Sequence, residues 1–166
     1  MRKQQPQTTP VRESQTAPPF FLKTAYGVEV SLASCLLQGP AVVEFLRGSW
    51  DPDSRKRLDE LAEQKASFDA LGARVLVVAC ERPETLNGYL EQKPTPLTVL
   101  ADEDRNTARA YGVYKRFALP VGNTARPSTF VVDRCGFVRF AYVSRLSIHS
   151  ADCDEVLRVL ADLTKG

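Results

Sequence analysis

"GPAVVEFLRGSWDPDSRKRLDEL", residues 39–61, carries the reading of the fold. The run "AVVEFL" (41–46) is apolar except for Glu44, as expected of a strand buried on both faces. Asp51, Pro52 and Asp53 are the residue types preferred at the N-cap, first position and first turn of a helix. Leu58, Leu61, Ala62, Phe68 and Leu71 then recur at helical spacing, and Gly72 is placed to end that helix. A buried strand that runs into a helix N-terminus sets its turn at the carboxyl edge of a sheet, where backbone N–H groups stabilise an anion or a nucleophile. Reactive cysteines are often held this way as thiolates, whereas Asp51 puts a permanent anion in the slot. An N-cap side chain is worth about 1 kcal/mol, so capping alone accounts for the residues of this turn.

On the N-terminal side, "FFLKTAYGVEVSLAS" (20–34) is two short runs about Gly27, which predicts a hairpin, followed by a short helix over 32–37. On the C-terminal side, "ARVLVVAC" (73–80) predicts a second buried strand and Pro83 the start of a short helix. "LTVL" (97–100) predicts a short strand, and "DEDRNTARAYG" (102–112) a helix capped by Asp102 and closed by Gly112. "STFVVD" and "FVRFAYV" flank "RCG" (134–136), a tight antiparallel hairpin, and a final helix runs from Asp152 to Leu163. Strands alternating with helices, then a hairpin and a helix, imply a mixed sheet covered on both faces.

Residues 1–18 are rich in Gln, Thr, Pro and Arg with little to bury, which predicts a disordered tail before one domain over 19–166. A chain of 166 residues is long enough for a real core, and 43% hydrophobic with 25% charged residues is ordinary for a globular protein. A formal charge of +2, with Lys and Arg scattered, argues against a nucleic-acid partner. The N-terminus has no apolar stretch that would act as a signal or span a membrane, so a cytoplasmic location and no membrane partner are expected.

Cys35, Cys80, Cys135 and Cys153 occur singly, and with one His there is no zinc spacing, so free thiols and no metal or other cofactor are expected. Cys35 fits the apolar side of a short helix, Cys135 a hairpin turn, and Cys153 the start of the last helix. His149 reads as a loop residue, with a base or pH switch as the alternative. Arg55, Lys56 and Arg57 read as the solvated face of their helix, and Trp50 as a packing residue that shapes the turn.

The opening stretch resembles the AhpC/TSA peroxiredoxin-like branch of the thioredoxin superfamily: strand, Arg-Gly-x-Trp, redox turn, helix. "GVEVSL", "GARVLVVA", "LTVLADEDRNTARAYGVY" and "RPSTFVVDRCGFVRFAYV" fall in that family's order. The resemblance implies a thioredoxin-like three-layer α/β sandwich with an N-terminal β-hairpin. It also implies peroxide reduction or thiol–disulfide exchange by a low-pKa thiolate, with a peroxide or a disulfide as substrate. The family pairs in more than one way, which leaves a homodimer open. Asp51 stands at the family's nucleophile Cys and Ser54 where a second Cys often lies, and a carboxylate cannot do the thiol chemistry.

Pro127 matches the proline that faces the redox turn, and Arg126 beside it is either a partner for Asp51 or a solvated loop residue. Cys80 closes the strand expected next to 41–46, within roughly 10 Å of the turn. It is either a small apolar strand-end residue or a displaced redox thiol. The expected site is therefore Trp50, Asp51, Ser54, Cys80, Arg126 and Pro127. Its readings are a silenced thiol peroxidase, a non-catalytic binding or regulatory module, or an engineered Cys-to-Asp variant of an active enzyme.

Overall fold

The computed structural model describes residues 9–118, 122–145 and 150–166. Its elements in chain order are β1 (Phe21–Thr24), β2 (Glu29–Ser31), α1 (Leu32–Leu36), β3 (Ala41–Leu46), α2 (Pro52–Glu63) and α3 (Lys65–Ala70). There follow β4 (Arg74–Ala79), α4 (Pro83–Gln92), β5 (Thr98–Ala101), α5 (Asn106–Ala110), β6 (Tyr114–Ala118), β7 (Gly122–Ala125), β8 (Ser128–Val132), β9 (Val138–Val143) and α6 (Cys153–Leu163). Seven strands form one sheet in the order β2-β1-β5-β4-β3-β8-β9, and β6 pairs with β7 apart from it. β3, β4 and β5 run parallel, β1 and β8 join them antiparallel at either side, and β2 and β9 pair antiparallel with β1 and β8.

Strand alternation divides the core into two layers. Ala41, Val43 and Phe45 of β3 face α1 and α5, where Cys35, Ala108 and Tyr111 pack with Phe130. Val42 and Leu46 face the other way, against Leu58 and Leu61 of α2, Phe68 of α3, Leu86 and Leu90 of α4, and Val156 and Leu160 of α6. Both faces are covered as the sequence implied, with β3 in the interior of the sheet beside β4 and α2 rising from its carboxyl end.

Four details differ from the sequence-based expectations. The segment expected to be a disordered tail through residue 18 packs on the core from about residue 10: Val11 and Ala17 are buried, and backbone bonds tie Val11 to Tyr111, Ser14 and Gln15 to Val138, and Ala17 to Gly136. Two well-placed apolar side chains and a set of backbone bonds hold a segment whose composition reads as unfolded; residues 1–8 lie outside the described residues. The helix expected from Asp51 to Gly72 breaks at Gln64 into α2 and α3. Asp102 does not cap α5 from the adjacent position: Arg105 precedes the helix at φ +62°, while Asp102 accepts from Thr107 and Ala108 N–H at 3.1 and 2.8 Å. The β6–β7 hairpin was not anticipated, since "YKRFALPVGNTA" carries no clean alternation.

Candidate functional site

The site forms where β3 gives way to α2. Asp51 is the N-cap of α2, and Pro52 opens the helix. Ser54 N–H and Oγ–H both donate to Asp51 Oδ2, at 3.0 and 2.7 Å. Ser54 Oγ in turn accepts from the N–H of Arg47 at 3.1 Å and of Gly48 at 3.4 Å. Ser54 thus ties the end of β3 to the first turn of α2, and all its hydrogen-bonding capacity is taken up by that role.

Arg47 Nη1 lies 3.6 Å from Asp51 Oδ1 and its guanidinium stacks 4.9 Å from the Trp50 ring centroid. The Arg47 carbonyl accepts from Thr124 Oγ1 of β7, so the unanticipated hairpin touches the turn. Glu81, just after β4, grips the turn from the far side by accepting from Ser49 N–H and Oγ–H, each at 2.9 Å. A Cβ at Gly48 would fall 2.4 Å from Trp50 Nε1 at a φ of +154°, so that position requires glycine.

Behind the turn lies a buried ionic cluster that the sequence reading missed. Glu44, 1% exposed, points from β3 into the α2/α6 layer and takes Arg57 Nε at 2.8 Å and Nη2 at 3.3 Å. Thr129 Oγ of β8 donates to Glu44 Oε2 at 2.6 Å. Arg57 is therefore not on the solvated face of α2 but 4% exposed, with Nη1 3.4 Å from Cys153 Sγ and 3.6 Å from Glu60. The available signal was the single charge inside "AVVEFL", because a buried carboxylate needs a cation within reach. Burial pushes the Glu44 carboxyl above its ordinary value, with Arg57 and Thr129 pulling it back.

Between α2 and the start of α6 opens a cavity of about 470 Å³ whose lining includes Asp51, Ser54, Arg57, Pro127 and Cys153. Asp51, Ser54 and Pro127 are thus brought together, with Trp50 beside them in the turn. Arg126 does not pair with Asp51: its guanidinium donates to the Ser144 carbonyl at 3.3 and 3.0 Å, and Arg47 takes the expected role. Cys80 does not share this cavity, because one residue past Ala79 the alternation turns its side chain into the α1/α5 layer, on the opposite face from Leu46 and α2. Burial, then the charge of Asp102 with its carboxylate 4.0 Å from the sulfur, pushes the Cys80 thiol far up. Cys35 is buried, Cys135 exposed in the β8–β9 turn, and His149 lies outside the described residues. Among the described residues no group of three or more His, Cys, Asp and Glu is arranged to hold a metal ion, and no helix is long and apolar enough to cross a membrane.

Comparison with known proteins fits this architecture. Peroxiredoxin Bcp of Escherichia coli (strain K12) is 25% identical over 136 residues, covering 80% of this chain and 86% of that protein. The chloroplastic peroxiredoxin Q of Gentiana triflora is 26% identical over 151 residues, covering 90% of this chain and 67% of that one. Among solved structures, peroxidoxin BcpB of Mycobacterium tuberculosis superposes with a TM-score of 0.79 at 21% identity, covering 90% of this chain and 96% of its own. Mycobacterium tuberculosis AhpC does so at 0.78 and 19%, over 93% and 94%. At those identities the superpositions establish the fold, which is thioredoxin-like. Residues 14–141 match the AhpC/TSA family, so the chain belongs to that family of peroxiredoxin-like proteins.

Proposed function

We propose that this chain is a peroxiredoxin-like protein in which Asp51 occupies the position of the family's nucleophilic Cys and Ser54 that of a second Cys, so that thiol peroxidase activity at this turn is weak or lost. The observation that carries the reading is the bonding of Asp51. Asp51 is 4% exposed, and its carboxylate accepts two bonds from Ser54 and pairs with Arg47. A sulfenic acid or mixed disulfide needs a sulfur nucleophile, and among the four cysteines none lies in this turn.

The substrates proposed from the family are a peroxide with a thiol reductant, or a disulfide. The test is peroxide consumption by the parent and by Asp51→Cys in the presence of a dithiol. The reading expects turnover in the variant and little in the parent. Robust turnover by the parent that survives Cys80→Ser and Cys153→Ser would overturn it. A second reading, a non-catalytic binding module, is favoured by the open cavity beside Pro127. It becomes the better account if neither protein turns over.

A further inference from the structure

β9 is the last strand of the sheet, and only part of its outer edge is covered. Val138 turns outward: its carbonyl accepts from Ser14 N–H at 2.8 Å, and its N–H donates to the Gln15 carbonyl at 2.9 Å. The N-terminal segment then leaves the strand, with Val11 N–H on the Tyr111 carbonyl at 3.0 Å. At the other end of β9, Ser144 N–H points inward to the Pro127 carbonyl at 2.8 Å. Bonded residues alternate along an antiparallel pair, so Ala141 and Val143 direct both N–H and C=O outward. Among the described residues no strand pairs with that side. The side chains of Ala141 and Val143, half-buried over the α1/α5 layer, line an open groove of about 580 Å³ together with Arg12, Arg126 and Arg145. Glu13 supplies the one carboxylate of that lining. Arg12 and Arg145 are exposed, and among the described residues neither guanidinium has an ion-pair partner. In a chain with 22 basic and 20 acidic residues, three arginines around one carboxylate are a local excess.

We propose that the open edge of β9 binds an extended acidic segment of another protein, which joins the sheet as an added strand. The outward N–H and C=O groups of Ala141 and Val143 hold such a segment by main-chain pairing, as an exposed sheet edge does for any strand. Its alternate side chains fall on the groove side of the sheet, where Asp or Glu meets the arginines and Lys or Arg is repelled. Charge also decides against a second copy of this chain. In a two-fold β9–β9 pairing the two arginine-lined grooves lie on the same face, side by side, and repel each other. None of this depends on whether Asp51 silences a peroxidase.

The test is fluorescence anisotropy of a labelled peptide amide, Thr-Glu-Thr-Glu-Thr-Glu-Thr, titrated with the full chain at low salt. Saturable binding is expected, weakening as salt is added, with none by the counterpart that carries Lys in place of Glu. Arg12→Glu with Arg145→Glu, both at exposed positions, is expected to weaken binding about tenfold or more. Ala141→Pro removes one outward N–H, a change that a sheet edge tolerates, and is expected to weaken binding without loss of the folded state. N-methylation along the peptide backbone removes the same pairing from the ligand side and leaves the protein untouched, so it is expected to abolish binding. The proposal is overturned if the Glu peptide does not bind, or if the Lys or the N-methylated peptide binds equally well. It is also overturned if sedimentation shows a dimer that Ala141→Pro dissociates, which would give the edge to a second copy.

Discussion

Replacing Arg57 by Met removes the guanidinium but keeps an unbranched apolar stem, which tests the electrostatic role of the buried cluster. In the parent, Glu44 is 1% exposed and is compensated by Arg57 at 2.8 and 3.3 Å and by Thr129 at 2.6 Å. Removing one partner of a buried pair costs about 3–5 kcal/mol, because the remaining charge is left uncompensated. At 2–4 °C per kcal/mol for a chain of this size, the melting temperature falls by roughly 6–20 °C.

The loss depends on pH. Burial already holds the Glu44 carboxyl above its ordinary value of 4.5. A carboxyl raised in the folded state binds its proton more tightly there than in the unfolded chain. Its contribution therefore favours folding at low pH and is lost as pH rises through the folded value. Losing Arg57 raises that value further and carries the loss to higher pH, each unit of difference being worth about 1.4 kcal/mol. Urea melts of parent and variant should therefore differ least near pH 5 and most near pH 8. Replacing both members, Glu44→Met with Arg57→Met, should restore most of the stability, as apolar replacements of buried ion pairs commonly do. A loss below about 1 kcal/mol at pH 8, or one equal at both pH values, would refute the assignment of Arg57 as the partner that compensates Glu44 in the core.

Asp51→Ala should lower stability by about 0.5–2 kcal/mol in denaturant melts, while Asp51→Ser, which keeps an N-cap oxygen, should recover most of it. Tyr111 is fully buried and its hydroxyl has no hydrogen-bond partner among the described residues, so Tyr111→Phe should leave the melting temperature unchanged or raise it. Gly48→Ala should destabilise by about 1–3 kcal/mol, because the added methyl meets the Trp50 indole; loss of indole order would show in near-UV circular dichroism.

The course of the chain from "AVVEFL" to the capped helix is legible because each step has a local cause: an apolar run too uniform for a one-faced strand, then Asp-Pro-Asp at the start of a helical period. The same local logic places Asp51 and Ser54 in one turn, whereas Pro127 is set beside them only by the family resemblance. That local logic fails where a partner comes from elsewhere. Arg126, 75 residues from Asp51 in sequence, turns instead to the Ser144 carbonyl, and the local Arg47 lies 3.6 Å from the carboxylate. Cys80 illustrates a different miss: its side was readable from the period of two along β4, which sends Ala79 toward α2 and Cys80 away from it.

What the sequence determined by itself is the order of elements, the cap on α2 and the presence of an anion at its N-terminus, since these follow from propensity, periodicity and short-range bonding. Only the tertiary structure decided that Arg57 turns inward to Glu44, that Thr129 completes the pair, and that Cys153 reaches the cavity from 96 residues away. Those contacts join β3, α2, β8 and α6, and side chains so far apart in sequence meet only once the sheet and its covering helices have packed.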